Sequence, residues 1–138
     1  LRELTLKGID DLTALLALAE ASLKGEILLA QRQFGPAIAA LRRAVELEDA
    51  LESEEPPPWP VPARQALASA LLLAGQPAEA ERMFRADLQR HPENGWSLYG
   101  LEQSLRRGRR SAEAVAVEER FRTAWRQAVD LRQPDSRY

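Results

Sequence analysis

This sequence predicts an all-α protein of about six helices, and three observations carry that prediction. Ala and Leu dominate the composition, both are good helix formers, and β-branched residues are few and scattered. Large apolar residues recur every three or four positions instead of alternating. Gly and Pro punctuate the chain at intervals of helix length, so the helices pair into short hairpins. A length of 138 residues, 45% hydrophobic and 29% charged, suits one domain over 1–138 with a real core.

Residues 1–9 carry little signal. Gly8 is expected to break a helix there, and Asp10 or Asp11 to cap the one that follows. From Leu12 the apolar positions Leu15, Leu16, Leu18, Leu23, Ile27 and Leu28 keep helical spacing, which gives a first helix to about Arg32. Gly25 lies inside it. An interior Gly costs roughly 1 kcal/mol against Ala, so another helix should pass close by. Phe34, Gly35 and Pro36 mark a turn. A second helix then runs from about Pro36 to Leu51, burying Ala37, Ile38, Leu41, Ala44, Val45 and Leu47. The acids Glu48, Asp49, Glu52, Glu54 and Glu55 oppose the helix dipole, so fraying is expected there. PPPWPVP at 56–62 is extended, since each Pro disfavours helix before it. Its Trp59 either packs on a neighbouring hairpin or lines a binding groove.

A third helix spans about 62–74. Gly75 follows it, where a left-handed cap is wanted. A fourth runs from Pro77 to about residue 90, and Pro92 forbids its continuation. The fifth covers about 94–107, with Asn94 as its cap and Gly108 as its end. Ser111 is expected to cap the sixth, which carries Phe121, Ala124 and Trp125 and ends by Pro134. The hairpins thus cover about 12–52, 62–91 and 94–130.

Each hairpin is roughly 34 residues long, the period of the tetratricopeptide repeat. The middle unit resembles that family most closely, through Leu67, Ala68, Leu71, Gly75, Ala80, Phe84 and Pro92 at the family's spacing. Small Ala68 and Ala80 let helices approach, while Leu71 and Phe84 fill the space beside them. Gly25, Leu28, Ala37, Leu41 and Ala44 correspond in the first unit, where Asp49 replaces the closing Pro. Leu98, Leu101, Leu105 and Ala114 correspond in the third. Glu102 stands there in place of a small residue and Glu118 in place of an aromatic, with Phe121 about one turn later. In the middle unit Asp87 replaces a small apolar residue.

The resemblance covers about residues 17–126. It implies an α-solenoid, a right-handed superhelical stack whose first helices line a concave face that takes a peptide or partner helix. The implied groove residues are Ser22 and Glu26, then Gln65, Ser69 and Leu72, then Trp96, Tyr99, Gln103 and Arg106. The Lys and Asn residues with which chaperone-binding members clamp a terminal carboxylate are missing at these positions.

Other chemistry is weakly signalled. Without Cys there is no disulfide, thiolate metal site or cysteine nucleophile. His91, the single histidine, suits a helix end better than a metal, since no second His or Cys accompanies it. Consecutive acids such as Glu118 and Glu119 diverge on a helix, so general acid–base catalysis is not expected. No cofactor is implied. Apolar runs are too short to span a membrane.

The net charge of −2 divides unevenly. Residues 1–63 hold 6 basic and 11 acidic side chains, net −5, and residues 64–138 hold 13 and 10, net +3. Arg106, Arg107, Arg109 and Arg110 could grip phosphate, but they also sit at a helix C-terminus, where Arg satisfies carbonyls. Nucleic acid is therefore an unlikely partner. The expected activity is a protein-interaction scaffold, not an enzyme. The alternative is self-association through the sixth helix, with Phe121 and Trp125 against another copy. The initial Leu1 suggests a piece of a longer protein; the compartment stays open, with the cytoplasm favoured.

Overall fold

The computed structural model of the chain describes residues 2–51 and 62–130. Among them are six helices and no strand: α1 (Arg2–Ala30), α2 (Phe34–Leu51), α3 (Ala63–Leu73), α4 (Pro77–Arg90), α5 (Gly95–Arg107) and α6 (Ser111–Asp130). Packing follows sequence order. Each helix lies against the next, and α3 also touches α1 and α5.

Three turns repeat one geometry. In α1–α2, α3–α4 and α5–α6 a left-handed residue follows the helix: Arg32 (φ 58°), Gly75 (φ 79°) and Arg109 (φ 59°). The next amide then reaches back along the helix, from Gln33 to Leu28 O (2.9 Å), Gln76 to Leu71 O (2.9 Å) and Arg110 to Leu105 O (2.9 Å). This is the Schellman closure, which satisfies carbonyls at the helix end. Leu28, Leu71 and Leu105 are therefore equivalent positions of the three hairpins in the folded chain.

The core is one large apolar cluster with a smaller one of Leu18, Ala44, Leu51 and Ala63 beside it. Ile38 and Leu41 come from α2, Leu67 and Leu71 from α3, Phe84 from α4, and Leu98, Leu101 and Leu105 from α5. Burying such side chains stabilises the fold by roughly 1.5–3 kcal/mol each. Two glycines allow the closest approaches. A Cβ on Gly25 would stand 2.5 Å from Leu41 Cγ, so α2 does pass close there. A Cβ on Gly100 would fall against the Phe84 ring, with Cε2 at 2.6 Å and two ring atoms closer still. The small residue expected at Glu102 is supplied two positions earlier.

Several boundaries differ from the sequence reading. Helix α1 runs through Gly8, and Asp10 and Asp11 lie within it, not at a cap. Gly8 is exposed, and a Cβ added there would meet no atom within 4 Å, so the position has no steric reason to break the helix. Gly35 lies in the first turn of α2, and the turn proper is residues 31–33. Gly108 does end α5, as its C-cap with φ −79°, and Arg109 after it takes the left-handed position. Ser111 is the first residue of α6; Arg110 O accepts the Ala114 amide at 3.1 Å in the N-cap position.

Two of the acids at the end of α2 are engaged by the start of α3. Glu48 accepts the free Ala63 N–H at 2.9 Å, and Asp49 forms a bidentate pair with Arg64 at 2.6 Å. These bonds clamp α2 to the start of α3. Trp59, the PPPWPVP segment up to residue 61, the acids Glu52, Glu54 and Glu55, and Pro134 lie outside the described residues.

Candidate functional site

The α4–α5 turn sets the site. Glu93 is left-handed (φ 62°), and Asn94 caps α5 by accepting the Trp96 N–H at 3.2 Å. Beneath this turn lies the carboxylate of Asp87, 1% exposed. It accepts from the Ser97 hydroxyl and from Asn94 Nδ2 at 3.2 Å, and it contacts His91 Nδ1 at 3.0 Å. A carboxylate out of water needs such donors. The network fixes where α5 begins and how it is rotated. It also joins Ser, His and Asp, but not as a nucleophile and its base. Ser97 is fully buried and gives its proton to Asp87, not to His91.

With α5 so placed, Trp96 and Tyr99 turn outward, 70% and 51% exposed. They meet α6. The Tyr99 and Phe121 rings are 6.1 Å apart and tilted, and Phe121 and Trp125 are 6.0 Å apart and stacked, both favourable aromatic arrangements. Together with Glu93, Gly95, Ala124 and Ala128 these side chains line a cleft of about 370 Å³ that is almost wholly apolar.

Toward the other end of α5, a smaller adjoining pocket of about 150 Å³ shares Tyr99 and Phe121 with the cleft and is lined by the charged Glu102, Glu118 and Arg122. Glu102, 7% exposed, accepts from Gln103 Nε2 at 2.8 Å and pairs with Arg106, which also reaches Glu118 of α6 at 2.9 Å. Hydrogen bonding to Glu102 strengthens the hold of Arg106 on its proton. Arg122 ties to Glu118 at 2.6 Å. A ligand here would meet four aromatic faces and a rim of already paired charges.

The implied groove residues separate. Trp96, Tyr99, Gln103 and Arg106 share one face of α5. Ser69 gives its hydroxyl hydrogen to Gln65 O on its own helix, at 3.0 Å. Glu26 is exposed on α1. Ser22 and Leu72 are buried and do not face a groove; the Ser22 hydroxyl has no hydrogen-bond partner. The cleft takes no lining from α1 or α3. Its α6 half is Phe121 and Trp125, the pair that the sequence presents as a self-packing surface. Their i, i+4 spacing on α6 is the signal that pairs them with α5. A larger and more open trough of about 520 Å³ lies between α1 and α2, lined by four alanines with Pro36, Leu47, Glu20, Lys24 and Arg43.

Three of the four clustered arginines, Arg106, Arg107 and Arg110, are held by partners within the chain. Arg107 donates to Leu72 O at 2.7 Å, Arg110 bridges Glu113 (2.6 Å) and Glu81 (2.7 Å), and Arg106 is paired as above. Among the described residues, no group of three or more His, Cys, Asp or Glu side chains could hold a metal ion, and no helix is long and apolar enough to cross a membrane. No protein-family model, curated protein or solved structure matches the chain. The likeness to tetratricopeptide repeats thus rests on the residues named above.

Proposed function

We propose that this chain is a protein-interaction scaffold of the tetratricopeptide kind, its hairpins stacked as a right-handed solenoid. The α5–α6 cleft is its principal anchor for a peptide or partner helix. One observation carries this reading: Trp96 and Tyr99 stand exposed beside Phe121 and Trp125 over an apolar cleft. Exposed large aromatics that converge are the usual energetic centre of an interface. Gln103 and Arg106 supply polar contacts along the same helix. Gln65, Ser69 and Glu26 would extend the surface along a concave face.

The test compares the parent with a Trp96→Ala, Tyr99→Ala variant. Both are offered as bait to native lysate, and captured peptides are then titrated against tryptophan fluorescence. Neither side chain supports the core, so the variant stays helical by circular dichroism. Loss of two anchors should weaken binding by about 2 kcal/mol or more, roughly thirtyfold. Undiminished capture by the variant would remove the cleft from the interface.

A further inference from the structure

Resting on the cleft reading above, we infer that its partner helix is α1 of a second copy of this chain, added head to tail.

The empty place is defined by the fold's own step. Inside the chain, the second helix of one hairpin packs on the first helix of the next. At α4–α5 the ring of Phe84 meets Gly100, and Asp87 meets Ser97. With Leu28, Leu71 and Leu105 as equivalents, Ser97 and Gly100 correspond to Ala63 and Ala66 of α3 and to Glu20 and Leu23 of α1. Ala63 and Ser97 are buried by the preceding hairpin. On α1 the same face is open among the described residues. Leu23 is 54% and Ile27 57% exposed, and Leu16 and Leu12 continue the stripe at 62% and 56%. At the other end α6 is a second helix with nothing packed beyond it among the described residues. Its equivalents of Phe84 and Asp87 are Glu118 and Phe121, flanked by exposed Val115 and Trp125.

The antiparallel register of α4 on α5 can be carried over to α6 on a second copy's α1. It sets Trp125 opposite Leu16, and it sets Val115 within one residue of Ile27. Both pairs are apolar and exposed in the single chain. Between them it sets Phe121 opposite Glu20 and Glu118 opposite Leu23, with Arg122 one residue from Glu20 and Lys24 one residue from Glu118. These two offset pairs match in sign. Such complementarity fixes register and disfavours wrong pairings. The contact is heterologous, so it leaves a free α1 and a free cleft at the two ends and permits further addition.

The experiment is sedimentation equilibrium of the full chain over a wide concentration range, with two end-blocked variants. Leu23→Glu with Ile27→Glu blocks α1 and leaves the cleft intact. Trp125→Glu blocks the cleft. All three side chains are more than half exposed, so circular dichroism should show an unchanged fold. The parent's average mass should rise with concentration. Each variant alone should stay at one chain, and their equimolar mixture should stop at two chains. A charge swap gives a second reading: Arg122→Glu and Glu20→Arg should each weaken association several-fold, and together restore it.

A parent that stays monomeric overturns the inference. So does association that the α1 variant abolishes and Trp125→Glu leaves untouched, which would mean α1 on α1. A monomeric parent whose cleft still binds a captured peptide would remove the second copy as occupant while leaving the cleft reading intact. Loss of peptide binding as well would remove both.

Discussion

Replacing Gly100 with Ala tests the packing that positions the cleft. On an exposed helix this change stabilises by up to about 1 kcal/mol, because Ala restricts the unfolded chain and favours helix. Here the new methyl would lie 2.6 Å from Phe84 Cε2, more than about 1 Å inside normal carbon contact. Phe84 is 2% exposed and surrounded by core residues, so the ring cannot swing clear without opening that core. Overpacking of this kind costs about 1–3 kcal/mol. The clash outweighs the propensity gain, and the net loss should be about 1–2 kcal/mol. Urea denaturation should show it as a lower midpoint with an unchanged slope, and melting as a fall of roughly 3–8 °C. Phe84→Leu removes the ring atoms that Ala would strike. In that background Gly100→Ala should be neutral or stabilising, which makes the two sites coupled by about 1–3 kcal/mol. A Gly100→Ala variant as stable as the parent, with no coupling to Phe84, would refute the close approach of α4 and α5.

Three other perturbations have distinct signatures. Arg109→Gly should stabilise by roughly 1 kcal/mol, since φ 59° suits Gly and strains Arg; calorimetry should show a higher melting temperature. Asp87→Ala strips Ser97 and Asn94 of their acceptor and should cost about 2–3 kcal/mol in urea unfolding, part of it recovered when Ser97→Ala is added. Asp49 and Glu48 should respond to pH in opposite senses. The Arg64 guanidinium lowers the Asp49 pKa, so its contribution is present above 3.8 and lost as pH falls through the lower folded value. Burial raises the Glu48 pKa, so its contribution is present below 4.5 and lost as pH rises through the higher folded value. Relative to the parent, Asp49→Asn should therefore lose stability, and Glu48→Gln gain it, as denaturation is moved from acid to pH 7. The Asp49 effect should stay below about 1 kcal/mol, because that pair is partly solvated.

The elements bounded by covalent punctuation are legible in the sequence. Helix α4 runs from Pro77 to Arg90 as expected, because Pro77 opens it and Pro92 closes it. Local cues mislead where the surrounding fold decides. Gly8 and Asp10 look like a break and a cap, yet α1 continues through both. Gly35 looks like a turn residue, yet it lies in α2 and Arg32 takes the left-handed position, as Arg109 does after the expected end at Gly108, because the hairpin closure imposes that geometry whatever the side chain. At the site, the repeat register places Trp96 and Tyr99 on the outer face of α5. It cannot supply their neighbours, since Phe121 and Trp125 reach them only through α5–α6 packing. Nor can it show Ser22 and Leu72 to be buried, which depends on helices remote in sequence.

The departures from the repeat pattern share a physical logic. Each polar intruder comes with compensation from nearby residues. Asp87 replaces a small apolar residue and is matched by Ser97 and Asn94 from the next hairpin. Glu102 replaces another and is covered by Gln103 and Arg106, while Gly100 restores the close approach that a small side chain would have given. A dry contact of alanines tolerates sliding and rotation. A buried carboxylate tied to named donors does not, because any other setting leaves it without partners. At α2–α3, where Ala63 packs against Ala44 and Leu51, Glu48 and Asp49 add such ties at the edge, and at α4–α5 the buried Asp87 sets the step from within. That narrow setting is what turns Trp96 and Tyr99 toward α6. The polar substitutions that weaken the family resemblance are the same ones that assemble the cleft.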